Sequence, residues 1–201
     1  MTDPPDRRDE LLGKIVDDLL TRGAADLSLR PLAERVGSSA RLLIYHFDSK
    51  EQLVAAALAE VRRHIGASLH ARASEIRPET LRDLVQMVWD WATETPNQSY
   101  FRLLFEVDGL AMFDRLSFSE EVRRANGAVW ITLIDRAAGR LTHGGDLFSA
   151  NSTLILGTFT GLLQDFLSTG DRARTTQALN ALVDLISECR NAPAPTEGRL
   201  P

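Results

Sequence analysis

SLRPLAERVGSSARLLIYHFDSK, residues 28 to 50, decides how this 201-residue chain reads. Leu29, Leu32, Ala33 and Val36 mark one face of a short helix, with Ser28 as N-cap and Pro31 tolerable in the first turn. Gly37 closes it and is free to adopt the positive φ of a tight turn, and Ala40, Leu43, Ile44 and Phe47 make a second short stripe. Two short helices joined at Gly37, with small Ala33 letting them approach, predict a helix-turn-helix. If the second stripe faces the core, helical geometry turns Ser38, Arg41 and Tyr45 outward and leaves Ser39, Leu42 and His46 on the flank. A major groove asks for that set: a guanidinium for guanine O6 and N7, hydroxyls for phosphates or base edges, and an aromatic phenol.

Outward from this stretch, helical periodicity runs nearly end to end. Upstream, Leu11, Leu12, Ile15, Val16, Leu19 and Leu20 predict a helix ended by Gly23. Downstream, Ser49 and Gln52 form a capping-box opening for a long helix carrying Leu53, Val54, Ala57, Leu58, Val61, Ile65 and Leu69 on one face. Ser28, with Arg30 in the same turn, and Lys50 are expected phosphate sites, each beside a positive helix end. Arg77-Pro78 breaks the pattern, and Leu81 to Ala92 starts a helix that Thr95-Pro96 stops. YFRLLFEVDGLAMF, residues 100 to 113, is apolar on almost every side and predicts a helix buried all round. Phe118 to Leu141 reads as one more helix, followed by a turn at His143 to Asp146. Helices from Leu147 to Leu167 and about Thr175 to Cys189 close the fold.

Composition bounds the function. With 44% hydrophobic and 25% charged residues the chain belongs to ordinary globular proteins, so fibrous and low-complexity classes are excluded. The lone Cys189 forms no internal bridge and reads as packing rather than nucleophile. No stretch has the length of a membrane span, and MTDPPDRRDE lacks a signal core, so a cytoplasmic location is expected. A net charge of -5 argues against a histone-like or polybasic coat, and residues 1 to 50 hold eight basic against nine acidic groups. Any attraction to DNA must therefore come from where the charges stand.

Over roughly Asp9 to Ala57 the sequence resembles the DNA-binding region of the TetR-type bacterial repressors. RGAADLSLRPLAERVGSS followed by LLIYHFDSKEQLV approaches the family pattern Leu-Tyr-x-His-Phe-x-Ser-Lys-Glu-x-Leu, with Ala33, Gly37, Ser39, Leu43, His46, Phe47, Ser49, Lys50 and Leu53 in place. The resemblance implies an all-α protein in three parts: a three-helix reading head, residues 1–56, a larger ligand-binding and dimerisation domain, 57–190, and a tail, 191–201. It departs from the family at Ala40-Arg41-Leu42, where Lys-Gly-Thr is frequent, and at Ile44, where a phosphate-contacting tyrosine is usual.

The expected DNA-binding residues are Ser28, Arg30, Ser38, Ser39, Arg41, Tyr45, His46 and Lys50, and the expected partner is a double-stranded, pseudo-palindromic operator bound by a homodimer. The last two helices carry more apolar side chains than one buried face needs, and Gly157 and Gly161 allow close approach, so they are the expected dimer interface. Met87, Trp89, Trp91, Phe101, Arg102, Phe105 and Trp130 are the expected contacts for a small apolar or aromatic ligand, with Gln86 and Glu106 as further polar partners. No cofactor, metal or catalytic residue is expected: His64 and His70 fall on different helix faces, and no HExxH, CxxC, P-loop or GxSxG occurs. A small helical enzyme or a protein-binding adaptor is the alternative; the want of a catalytic motif argues against the first and the outward Arg41 and Tyr45 against the second.

Overall fold

The structure, a computed structural model, describes residues 7–117 and 148–191. Among the described residues every regular element is an α-helix: α1 Arg7–Arg22, α2 Leu29–Arg35, α3 Ala40–Phe47, α4 Lys50–Ile76, α5 Leu81–Thr93, α6 Thr95–Met112, α7 Phe148–Thr169 and α8 Arg172–Asn191. The expected helix at Phe118 to Leu141, the turn at His143 to Asp146, Leu147, Trp130 and the terminal tails lie outside the described residues, as does the side chain of Cys189.

The described residues form two compact units, one from 7–77 and 90–117 and the other from 78–89 and 148–191. In the first, α1, α4 and α6 share a core around Ile15, Leu19, Leu53, Val54, Val61, Ile65, Leu103 and Val107, all buried. The short α2 and α3 attach to it through Leu32, Ala33, Leu43 and Phe47. In the second, α7 and α8 pack along each other and bury Ile155, Leu163, Leu179 and Val183, while Trp89 at the end of this unit's share of α5 sets its ring edge against Phe159 at 5.5 Å.

Local chemistry places the helix ends. Gly23 takes φ +77 and its N–H donates to Leu19 O at 2.8 Å, closing α1 as the sequence implies. Gly37 takes φ +69, and Ser38 N–H donates back to Ala33 O at 2.8 Å, so the turn between α2 and α3 is hydrogen-bonded as well as short. Ser39 Oγ accepts from Leu42 N–H at 3.2 Å and Ser49 Oγ from Gln52 N–H at 3.1 Å, two N-caps that start α3 and α4. Thr80 and Asp83 exchange side-chain and backbone hydrogen bonds at the start of α5.

Two expectations are corrected. Thr95-Pro96 does not merely stop a helix: Pro96 lies in the first turn of α6, where a missing N–H has no helical partner to lose. Nor is the helix through YFRLLFEVDGLAMF buried all round. Phe101, Leu103 and Val107 face inward, whereas Arg102, Asp108, Met112 and Phe113 are exposed.

Candidate nucleic-acid interface

Leu43 and Phe47, one turn apart, are the two side chains that anchor α3 to its unit. That pair, rather than the wider stripe of four, sets the rotation of the helix. Ile44, expected in the core, is 39% exposed, and Tyr45 is 77% exposed. Arg41 is exposed as well, and spacings of three and four residues bring Arg41, Ile44 and Tyr45 onto one strip. The strip thus carries a cation, a branched apolar group and a phenol, a mixture suited to guanine edges and thymine methyls.

The remaining expected residues take different positions. Ser28 is exposed with extended backbone, and its hydroxyl makes no cap hydrogen bond to α2. Arg30 is exposed and Lys50 half-buried at the first position of α4. Ser39 accepts the α3 cap bond, which leaves its hydroxyl proton as a donor. Ser38 is half-buried with a shielded hydroxyl that finds no hydrogen-bond partner. His46 is half-buried, its ring edge-on to Tyr45 at 5.1 Å and to Phe47 at 6.4 Å.

Ion pairing decides where positive potential remains in this near-neutral region. Arg35 makes a two-point bond to Asp18 at 2.6 and 2.7 Å, Arg22 also reaches Asp18, and Arg7 pairs with Glu10. The Arg35 guanidinium holds the Asp18 carboxyl below its ordinary range, outweighing the opposite effect of burial. Among the described residues Arg30, Arg41 and Lys50 form no ion pair, so cations at α2, α3 and the start of α4 are left uncompensated, as is Lys14 on α1.

Arg8 was not legible as part of this site. Its guanidinium lies over the Phe47 ring at 5.1 Å from the centroid, and Nε–H donates to His46 O at 3.4 Å. A cation at the carboxyl end of α3 satisfies a free carbonyl and complements the helix dipole. The partners are 38 residues apart, so no local pattern announces them.

The expected ligand residues divide between the two units. Trp89 and Trp91 leave α5 about 200° apart. Trp89 donates its indole N–H to Thr176 Oγ1 at 2.8 Å in one unit, and Trp91 donates to Ser68 Oγ at 2.9 Å in the other, edge-on to Phe101. Met87 and Phe101 are buried and Phe105 is half-buried. Arg102 is exposed and donates to Gln98 Oε1 at 3.0 Å, and Glu106 accepts from backbone N–H groups just after α1. A groove of about 300 Å³ between α1 and α4 is lined by Asp9, Leu12, Gly13, Glu60 and Arg63, with none of the aromatic residues on its walls. No metal-ligating cluster occurs among the described residues, and no helix among them is long and apolar enough to cross a membrane.

Residues 19–57 match the family model for bacterial regulatory proteins of the tetR family. The fold is similar to that of a transcriptional regulator from Rhodococcus sp. Rha1, with a TM-score of 0.69 at 20% identity over 92% of this chain and 97% of the other. It is also similar to NalD, the secondary repressor of the MexAB-OprM multidrug efflux pump in Pseudomonas aeruginosa, with a TM-score of 0.56 at 21% identity over 90% and 94%. The fatty acid degradation regulator FadR from Bacillus halodurans gives a TM-score of 0.60 at 14% identity over 92% and 96%. No curated protein sequence matches the chain.

Proposed function

We propose that this chain is a DNA-binding regulatory protein of the bacterial tetR family, that it represses transcription by occupying a pseudo-palindromic operator as a homodimer and that a small apolar ligand releases it. The observation that carries the reading is the exposed strip Arg41, Ile44 and Tyr45 on α3, flanked by the unpaired cations Arg30 and Lys50. In this reading Arg41, Ile44 and Tyr45 meet base edges. Ser28, Arg30, Ser39 and Lys50 hold phosphates, and Ser38 and His46 support the turn and the end of α3. Residues 1–56 act as the reading head, and 57–190 bind ligand and dimerise. The location is the cytoplasm, where the operator is.

The dimer surface is proposed on α7 and α8. Leu154 and Leu185 are 50% and 59% exposed there, and Gly157 and Gly161 leave open space where a side chain would stand. Paired helices presenting apolar and small groups suit a four-helix interface across a two-fold axis. For the ligand, the buried aromatic and sulfur surface of Met87, Trp89, Trp91 and Phe101, with half-buried Phe105, favours an apolar molecule. Arg102 and Trp130 complete the proposed set, Arg102 from the exposed side of α6. That similar folds serve an efflux-pump repressor and a regulator of fatty acid degradation agrees with this.

The test is selection of bound fragments from genomic DNA by the purified protein. Recovery of a palindromic site, followed by its release when a hydrophobic compound alters tryptophan fluorescence, is the expected result. Failure to enrich any palindrome would sink the proposal.

A further inference from the structure

We propose that Glu106 is a positioning residue for DNA binding, its carboxylate latching α6 to the turn from which the helix-turn-helix departs. The inference rests on the DNA-binding reading above. After α1 the backbone turns at Gly23, and the consecutive N–H groups of Ala24 and Ala25 form a small concave pair of donors, the kind of nest that binds anions. The Glu106 carboxylate, 82 residues from Ala24 in sequence, fills it: Oε2 accepts from Ala24 N–H at 2.7 Å and Oε1 from Ala25 N–H at 3.1 Å. A charged acceptor on two amide donors is stronger than a neutral pair.

Glycine at position 23 leaves the room that the carboxylate occupies. A Cβ on residue 23 would stand 2.5 and 2.7 Å from the two carboxylate oxygens, and the φ of +77 already disfavours any other residue. The latched turn passes directly into the reading elements. Leu27 N–H donates to Ala24 O at 3.2 Å, the next residue is the N-cap of α2, and α2 packs on α3. Glu106 thereby sets the direction in which α2 and α3 leave α1. It makes no contact with the Arg41 to Tyr45 strip and acts only through this geometry.

With the carboxylate removed, the two N–H groups turn to water and the α2–α3 pair samples several directions, so the fraction competent to bind falls. The probe is the duplex recovered from a random-sequence library by selection on the wild-type protein. Glu106→Ala is expected to bind it about tenfold more weakly. Glu106→Gln, which keeps the shape and one acceptor oxygen, falls between. The salt slope stays unchanged, because no phosphate contact is lost. The effect of Arg41→Ala is unchanged in the Glu106→Ala background, because a smaller competent fraction weakens every duplex by the same factor. Amide exchange at Ala24 and Ala25 accelerates while Leu43 stays protected. A folded Glu106→Ala protein that holds the duplex like wild type overturns this inference alone. So does weakened binding accompanied by loss of Leu43 protection. If selection on wild type recovers no duplex, the DNA-binding reading falls and this inference with it.

Discussion

Arg41, Ile44 and Tyr45 share an exposed strip because Leu43 and Phe47 hold α3 from the opposite side. The two kinds of contact expected around that strip separate experimentally. Arg41→Ala should weaken operator binding by about 1–3 kcal/mol and relax preference at one base pair per half-site, as judged by titration against a panel of single-base variants. Lys50→Ala should weaken all sequences alike and reduce the slope of log affinity against log salt by about one. If Arg41→Ala bound the operator as tightly as wild type, the strip would not be the reader. Arg8 contributes differently, by lying over Phe47 and donating to His46 O. Arg8→Met removes both contacts and should lower stability in urea unfolding by about 0.5–1 kcal/mol; an unchanged midpoint would show that neither contact counts.

At the scale of elements, α1 and α2 are tied by the Asp18–Arg35 pair, with Asp18 only 10% exposed. Hydrogen bonding to Arg35 is the larger reason the Asp18 carboxyl lies below its ordinary range. A carboxylate depressed on folding contributes stability that is present above its unfolded pKa and is lost as pH falls through its folded pKa. The tie should therefore be complete at neutral pH and fail on acidification, below the ordinary carboxylate range. Glu60, Asp83 and Asp165 are depressed too, so the informative quantity is the difference between wild type and Asp18→Asn. That difference in melting temperature should be constant near neutrality and shrink at acid pH. A difference that did not change with pH would refute the assignment. The caps at Ser39 and Ser49 and the turn at Gly37 were legible because each is a local event, whereas the Asp18–Arg35 tie joins residues 17 apart and was not.

At the scale of the whole molecule, the surface offered for self-association follows from which apolar groups α7 and α8 leave uncovered. Ile186 is buried within its own unit and Leu182 is half-buried, so a charge at Ile186 would disrupt the unit itself rather than report on a dimer. Leu154 and Leu185 face out. Leu185→Glu should give a folded monomer in sedimentation equilibrium and abolish operator binding, since each half-site alone makes few contacts. A folded Leu185→Glu protein that remained dimeric would remove α8 from the interface.

The sequence by itself determined the all-α class, most helix limits and the helix-turn-helix, because periodicity, N-cap hydroxyls and turn glycines act over a few residues. It also carried enough of the Ala33 to Leu53 pattern to show a resemblance to the tetR family, whose family model matches residues 19–57. Tertiary structure alone decided the rotation of α3, which exposes Ile44, and the pairing that leaves Arg30 and Arg41 uncompensated while Arg35 is neutralised. It likewise sent Trp89 and Trp91 into different units and brought Glu106 to the end of α1. The reason is common to all of these. An amphipathic stripe says that a face is buried, but which edge of the stripe is covered, and which distant charge meets which, depends on partners that only the folded chain brings within reach.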